Sequence, residues 1–307
     1  MKRSRNKRNK RAKKKALPVL LFAVGLAAGF LISLLFKVHV SPGPLKYYKA
    51  ERRHTVSPKA ALIAHPLVVP PIARAAHPKV AIVLDDFGYS YRNVNAIFDI
   101  KQPVTFSILP DHPYSKKIAE RIYEKSYEAI LHLPLEAIES EMDITPEAGT
   151  IKVGMKESEI LDRLTKALAD VPHVKGVSNH QGSKATEYGP IMRIIFTELK
   201  KRHLFFLDSL VTNKSACRSA ARQAGIGFGR RNVFLDNEGD FEYIQGQMEQ
   251  LIRKAKKTGS AIGIGHDRPS TVFALSKLMP EASKEGVEFV FLSNIIKGVP
   301  KDDNPGD

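Results

Sequence analysis

The sequence contains a single cysteine, Cys217, among its 307 residues. One thiol excludes an internal disulfide framework, and the chain has neither a CxxC pair nor zinc-ribbon spacing. The cysteine does not identify the compartment, because many exported proteins contain no disulfide. We interpret Cys217 as a small, partly buried structural residue.

Excess charge is also missing from most of the chain, although the whole sequence has a net charge of +16. Residues 1–78 contain 17 Lys and Arg and only one acid, Glu51, whereas residues 79–307 contain 31 basic and 31 acidic residues. A nucleic-acid-binding domain carries its basic excess on its own folded surface. The neutral C-terminal part therefore argues against nucleic acid as a partner.

The N-terminal segment has the pattern of a membrane anchor. Residues 2–15 contain ten Lys or Arg, and residues 16–36 contain no charged side chain. A helix of that length spans about 30 Å, the thickness of a bilayer core, and the basic flank favours the cytoplasmic side. A cleavable signal peptide is the alternative, but its apolar core has about 7–15 residues and a small-x-small site follows. Residues 37–40 offer no such site, so we expect an uncleaved single-pass anchor in the inner (cytoplasmic) membrane, with the C-terminal domain on the periplasmic or extracytoplasmic side.

The rest of the chain divides by composition. Residues 37–78 contain seven prolines and no sustained periodicity, which predicts an extended linker. Residues 79–296 alternate apolar strand patterns with helical patterns and form the predicted folded domain, and residues 297–307 form a predicted flexible tail. The basic residues 1–15 are the predicted cytoplasmic segment.

Five apolar stretches of the folded domain each end in polar side chains of the types used in catalysis. They end at Asp85-Asp86, His132, Asn179-His180, Asp208-Ser209 and His266-Asp267. Continuous apolar runs separated by helical patterns are typical of parallel strands buried on both faces. Ligands bind at the carboxyl ends of such strands, so we expect these side chains to meet in one pocket.

The number of alternations predicts the architecture. Helical patterns are expected at 91–100, 114–125, 157–169, 187–202, 215–224, 241–257 and 271–284. The sixth strand is either 226–228 or 233–235, and the last strand is predicted at 287–292. Seven or eight β/α units favour a distorted or incomplete (β/α) barrel of seven to eight strands.

The residue types at the strand ends indicate metal and proton chemistry. Asp85 and Asp86 are neighbours, so their side chains start toward opposite sides, and one can bind a metal while the other takes a proton. His132 lies four residues before Glu136, but Pro134 prevents that spacing from forming one helical face. His180 is a candidate ligand or substrate contact within the polar stretch 179–183.

These motifs resemble the polysaccharide deacetylase superfamily, and most closely its divergent polysaccharide deacetylase branch. Residues 83–88, Val-Leu-Asp-Asp-Phe-Gly, resemble the Asp-Asp-Gly motif at the first strand, and residues 104–107 resemble the Ala-Thr-Phe-Phe second strand. His132 falls where the family has the first His of its His-x-x-x-His metal motif. Asp208 and His266 resemble the fourth and fifth motifs.

The resemblance implies a role for each residue. Asp86 and His132 would bind a divalent metal, expected to be zinc, and Asp85 would be the general base. His266 would protonate the leaving amine, and Asp208 would orient the His266 imidazole. The implied activity is a hydrolase of cell-envelope carbohydrate or a peptidoglycan-type glycan, acting by deacetylation.

Two motifs depart from the family pattern. Glu136 replaces the second metal His, and the third motif, which contains an arginine in the family, is replaced by Asn-His-Gln-Gly-Ser at 179–183. The third ligand is therefore either Glu136 or His180, and we favour His180. The predicted substrate contacts are Asn179, Ser183 and Ser209. A non-catalytic carbohydrate-binding or scaffold protein is the alternative, and a structural role in an envelope complex through residues 37–78 is a third.

Overall fold

The computed structural model describes residues 77–138, 146–296 and 298–299. The predicted basic segment, the predicted anchor at 16–36 and nearly all of the predicted linker and tail lie outside these residues. Within the described residues, no helix is both long enough and apolar enough to cross a membrane.

The described residues alternate strands and helices. The strands are β1 (Lys79–Phe87), β2 (Thr105–Ile108), β3 (Glu128–Leu135), β4 (Gly176–Gln181), β5 (Phe205–Asp208), β6 (Phe228–Arg230), β7 (Val233–Phe234), β8 (Ser260–His266) and β9 (Glu288–Phe289). The helices are α1 (Val94–Ile100), α2 (Ser115–Glu124), α3 (Glu157–Asp170), α4 (Gly189–Lys201), α5 (Cys217–Ala224), α6 (Phe241–Thr258), α7 (Pro269–Lys284) and α8 (Leu292–Ile295).

The strands form one curled, parallel sheet. Its order is β6-β5-β4-β3-β2-β1-β8-β7, and β9 pairs with the first two residues of β1. This order agrees with the predicted distorted (β/α) barrel, because each strand up to β6 lies beside its predecessor and β8 returns to β1. The carboxyl ends of the strands therefore lie at one rim.

A single short segment spans the gap between the two edges of the sheet. β6 pairs with β5 and β7 pairs with β8, yet only two residues separate β6 from β7. Within the connection, the Arg231 amide donates to the Asp208 carbonyl at 3.0 Å and the Asn232 amide donates to the Ile262 carbonyl at 2.8 Å. The sequence predicted one sixth strand, either at 226–228 or at 233–235. The structure has a strand at or next to each of these positions, β6 and β7.

Alternation along the strands divides the core into two layers. Val80, Ile82 and Leu84 of β1 face the helices, whereas Ala81 and Val83 face the barrel interior. Other strands follow the same period of two, and the interior layer also contains Ile130, Phe205, Leu207, Ile262, Ile264, Leu292 and Ile296. Burial of each large aliphatic side chain stabilises the fold by about 1.5–3 kcal/mol.

Helix α8 covers the interior layer at the end opposite the rim. The Leu292 amide donates to Thr105 Oγ1 at 3.1 Å, and the Ser293 amide donates to Glu128 Oε1 at 3.2 Å. These buried side chains satisfy amides at a helix start that have no partner within the helix. The predicted strand at 287–292 was therefore wrong beyond Phe289, because distant residues stabilise a helix from Leu292 onward.

Candidate metal centre at the strand ends

The polar side chains at the rim continue the alternation of the interior layer. Ile130 faces the interior, and His132 follows it two residues later on β3. On β8, Ile264 precedes His266 in the same way. Because side chains alternate with a period of two, the inward-facing positions continue past the apolar layer and are occupied by polar residues at the strand ends. This polar layer also contains Asp85, Ser107, Ser178 and His180.

The end of β1 is irregular, and this irregularity places both aspartates in the site. The pairing register of β1 with β2 shifts between Leu84 and Phe87, and Asp86 has a left-handed backbone with φ of 69°. Regular alternation predicts opposite directions for the two side chains, as we expected from the sequence. Instead, His132 Nε2 lies 3.7 Å from Asp85 Oδ2 and 3.4 Å from Asp86 Oδ1.

Asp86, His132 and His180 form the candidate metal centre. Asp86 Oδ1 lies 3.4 Å from His132 Nε2 and 3.3 Å from His180 Nδ1, and all three donor atoms lie within 4.8 Å of one another. Tetrahedral ligands bonded at about 2.0–2.2 Å are separated by roughly 3.3–3.6 Å. One carboxylate and two imidazoles therefore fit a divalent cation such as zinc.

Hydrogen bonds behind the cluster fix the orientation of His132. His132 Nδ1 and Ser178 Oγ are 2.8 Å apart, and Ser178 Oγ lies 2.9 Å from Ser107 Oγ. When Nδ1 donates to Ser178, Nε2 is the unprotonated nitrogen and faces Asp86. This is the support that metal-ligating histidines ordinarily have in proteins.

The pKa values of the two aspartates are shifted in opposite directions. Burial opposes ionisation of Asp86, but contacts with His132 and His180 outweigh it and hold its pKa well below the ordinary range. Burial raises the pKa of Asp85, with His132 opposing this effect and the neighbouring Asp86 adding to it. Asp85 Oδ1 is buried and has no hydrogen-bond partner among the described residues. The site thus holds one carboxylate suited to a cation and one suited to a proton.

His266 is paired with a carboxylate that the sequence analysis missed. His266 Nδ1 lies 2.7 Å from Asp236 Oδ1, and Asp236 Oδ2 accepts hydrogen bonds from the His266 amide and from Thr271 Oγ1. Burial lowers the pKa of His266, but Asp236 outweighs burial and raises it overall. Asp236 follows the apolar residues 233–235, one of the two predicted positions of the sixth strand. It therefore has the same pattern as the other strand ends, an apolar run followed by a polar side chain.

Asp208 does not take the predicted place beside His266. On β5, Phe206 faces the helices and Leu207 faces the interior, so Asp208 returns to the helix side. Its carboxylate accepts hydrogen bonds from Ser215 Oγ at 2.7 Å and from the Leu210 amide at 2.8 Å. The expectation that Asp208 orients His266 is corrected, because strand alternation directs the Asp208 side chain away from the barrel interior and Asp236 takes that place.

Glu136 is engaged outside the three-residue cluster. Its carboxylate accepts a hydrogen bond from the Val153 amide at 2.7 Å and pairs with Lys184 Nζ at 2.9 Å. These two contacts hold the loop after β3 against the stretch after β4. Of the two alternatives for the third ligand, the structure brings His180, and not Glu136, to Asp86 and His132.

The predicted substrate contacts are fully buried residues. Asn179 Nδ2 donates to Ser209 Oγ at 2.7 Å, and the Ser209 amide donates to Asn179 Oδ1 at 2.9 Å. Ser183 Oγ accepts a hydrogen bond from the Ile138 amide at 3.0 Å. These bonds join β4 to the ends of β3 and β5, and contact of the three residues with substrate stays a prediction.

The fold and the site together define a class: a distorted parallel (β/α) barrel, whose two sheet edges are connected by one short segment, with a candidate Asp-His-His metal centre at its carboxyl rim. The chain belongs to the divergent polysaccharide deacetylase family, whose sequence pattern matches residues 82–296. The resemblance inferred from the motifs is thereby confirmed.

The chain is also similar to individual proteins. It is 32% identical over 220 residues to an uncharacterised protein of Haemophilus influenzae, which covers 72% of this chain and 77% of the relative. It is 32% identical over 201 residues to the uncharacterised protein YibQ of Escherichia coli K12, covering 66% of this chain and 62% of YibQ. The crystal structure of an uncharacterised protein of Agrobacterium tumefaciens C58 has 25% identity and a TM-score of 0.67, and covers 74% of this chain and 92% of that one.

Proposed function

We propose that this protein is a metal-dependent hydrolase that removes acetyl groups from a carbohydrate of the cell envelope. The observation that carries the proposal is the convergence of Asp86, His132 and His180 donor atoms within 4.8 Å of one another. Asp85 and His266 lie on the strand ends beside this cluster, where β1 and β8 pair residue for residue. Family membership supports the same conclusion.

The three clustered residues would hold the cation, and we propose zinc. A bound divalent cation supplies Lewis acidity that polarises an acetamide or ester carbonyl. Asp86 would contribute the negative charge of the site, because its pKa is held low. The hydrogen bond between His132 Nδ1 and Ser178 Oγ would orient Nε2 of His132 toward the cation.

Proton transfers would be carried by Asp85 and His266. Burial raises the pKa of Asp85, and a general base is most effective when its pKa approaches the operating pH. The pKa of His266 is raised by Asp236, which favours the protonated imidazole that would donate from Nε2 to a leaving amine. The two groups are placed at paired positions of β1 and β8, so they can act on one substrate.

We further infer that residues 16–36 anchor the protein in the cytoplasmic membrane, with the barrel outside the cytoplasm. The absence of charge from these residues and the preceding basic segment support this topology. Fractionation of cells that express the full chain, with protease added to intact spheroplasts, tests it. We expect a membrane-bound protein whose C-terminal domain is digested from outside, and protection of that domain would contradict the topology.

Metal content and acetate release together test the hydrolase. Metal-replete protein should contain close to one equivalent of metal per chain by mass spectrometry, and it should release acetate from an N-acetylglucosamine oligomer. The His180→Ala variant should lose the metal and the activity, whereas the matched variant Glu136→Gln should keep the metal. Metal-free wild-type protein, or loss of metal from Glu136→Gln alone, would contradict the assignment.

A non-catalytic carbohydrate-binding protein is the second candidate. The altered third motif favours this candidate. The arginine of the family motif is absent at 179–183, and Asn179 is hydrogen-bonded to Ser209 within the fold. Metal-loaded protein that binds the glycan but releases no acetate would establish this second function.

A further inference from the structure

Arg231 is a partly buried cation in the mouth of the barrel. Its Nε donates to the Ser209 carbonyl at 2.7 Å, and its Nη2 donates to the Leu210 carbonyl at 3.0 Å. The guanidinium carbon lies 3.5 Å above the centre of the Phe234 ring, and Phe234 packs against the interior layer. Two carbonyls and one ring therefore fix the position of the guanidinium.

This guanidinium has no ion-pair partner in the described part of the chain. Its two hydrogen bonds go to neutral carbonyls, and Nη1 makes no hydrogen bond with a described residue. Burial lowers the pKa of Arg231, and the fields of Asp208 and Asp85 only partly offset this effect. Charges removed from water are ordinarily paired, so an anion that reached this position would be bound favourably.

Arg231 lies close to the proposed proton donor. The Phe234 ring that stacks beneath the guanidinium also lies parallel to the His266 ring, with 6.0 Å between the centroids and an angle of 18°. Arg231 and His266 therefore share Phe234 as a neighbour, which places the guanidinium at the same rim as the proposed proton donor.

We propose that Arg231 binds a carboxylate carried by the glycan substrate, so that the protein selects acidic acetylated glycans over neutral ones. This inference rests on the proposed function. Nη1 and the N–H of Nη2 that is not bonded to Leu210 form the second edge of the guanidinium, and such an edge matches the two oxygens of a carboxylate. A singly charged carboxylate suits the position better than a phosphate, because Asp85 and Asp208 already contribute negative potential to Arg231.

Two matched probes test the selection on metal-loaded protein. The first is a tetrasaccharide in which N-acetylglucosamine alternates with glucuronate, and the second is its methyl ester, which lacks the charge. Calorimetry should give a dissociation constant about tenfold to one-hundredfold lower for the acid than for the ester. A disaccharide containing N-acetylmuramate, compared with its methyl ester, tells whether the carboxylate is read on the ring or on an ether substituent.

Variants identify the residue responsible. Arg231→Gln should remove the preference for the acid, and Arg231→Lys should keep part of it. Arg121→Gln, in the last turn of α2, makes the same charge change and should leave the preference intact. Folding of each variant is checked by thermal unfolding.

The outcomes separate this inference from the proposed function. Equal binding of acid and ester by wild-type protein overturns the role of Arg231, and it needs no variant to fold. Retention of the preference by folded Arg231→Gln also overturns it. Preferential binding of the acid without acetate release supports Arg231 and counts against the hydrolase.

Discussion

At the scale of single residues, the backbone at Asp86 is the feature on which the site depends. A φ of 69° is unfavourable for most side chains, although Asp adopts it more readily than branched residues do. The conformation brings Asp86 to the same side as Asp85. Backbone strain at this position thus accompanies a functional arrangement of side chains.

Replacing Asp86 with glycine or with alanine distinguishes the effect of backbone strain on stability from the effect of the lost charge. Both Asp86→Gly and Asp86→Ala remove the carboxylate, but only glycine adopts this φ freely. We expect Asp86→Gly to be about 1 kcal/mol more stable to unfolding than Asp86→Ala. Urea unfolding with chelator present measures the difference, and equal stabilities would show that the left-handed backbone costs nothing.

The pair of His266 and Asp236 predicts a pH-dependent contribution to stability. The pKa of His266 is raised in the fold, so its contribution is fully present below about pH 6.5 and is lost as the pH rises through the folded pKa. The pKa of Asp236 is lowered, so its contribution is present above about pH 3.9 and is lost as the pH falls through its folded pKa. Asp236→Asn should therefore be most destabilising between about pH 4 and 6.5, and less so at pH 9.

Urea unfolding of the metal-free protein at several pH values tests this prediction. Thr271→Val is the control, because it removes a hydrogen bond to Asp236 without removing a charge. Its destabilisation should change little between pH 5 and pH 9. A loss of stability in Asp236→Asn that grows with pH would contradict the pairing.

At the scale of secondary-structure elements, helix α8 depends on side chains from β2 and β3. Thr105 Oγ1 accepts a hydrogen bond from the Leu292 amide and donates one to Glu128 Oε1 at 2.9 Å. All of these groups are buried, so water cannot replace a missing partner. The start of α8 is therefore specified by residues more than 160 positions earlier.

Thr105→Val tests this dependence. The substitution keeps the shape of the side chain but leaves the buried Leu292 amide without a partner, which should cost about 1–3 kcal/mol of unfolding free energy. Thr197→Val is a matched control, because Thr197 bonds the Arg193 carbonyl on the exposed side of α4. The control should change stability by less than about 0.5 kcal/mol, and an equal effect of the two variants would contradict the role of Thr105.

At the scale of the whole molecule, Gly229 is the point where two parts of the fold touch. The segment that connects the two sheet edges packs there against Ile296, at the end of the folded domain. A Cβ atom at Gly229 would lie 2.5 Å from Ile296 Cδ1 and 2.8 Å from Ile296 Cγ1. The closing segment and the end of the folded domain thus approach each other too closely for a larger side chain. Glycine at this position permits both features at once.

Gly229→Ala should destabilise the protein by about 1–3 kcal/mol through overpacking. Combination with Ile296→Ala should recover part of this loss, because the second substitution removes the atoms that the new Cβ meets. Denaturant unfolding of the two single variants and the double variant measures the coupling. Strictly additive effects would show that Gly229 and Ile296 do not constrain each other.

The sequence by itself predicted the distorted parallel barrel and the convergence of Asp86, His132 and His180 at one rim, and the structure has both. These features could be predicted because apolar runs of strand length and their terminal polar residues are local features of the chain. Period-two alternation also sufficed to face His132 and His266 inward.

Only the tertiary structure decided which carboxylates share the site. The bulge that turns Asp86 beside Asp85, the exclusion of Asp208 to the helix side, and the pairing of Asp236 with His266 all depend on how strands pair across the sheet. Pairing register is set by contacts between residues far apart in the chain, and a shift of one residue reverses the side that a side chain faces. The sequence left Glu136 and His180 as candidates for the third ligand, with His180 favoured, and the contacts of Glu136 with Lys184 and Val153 distinguish them.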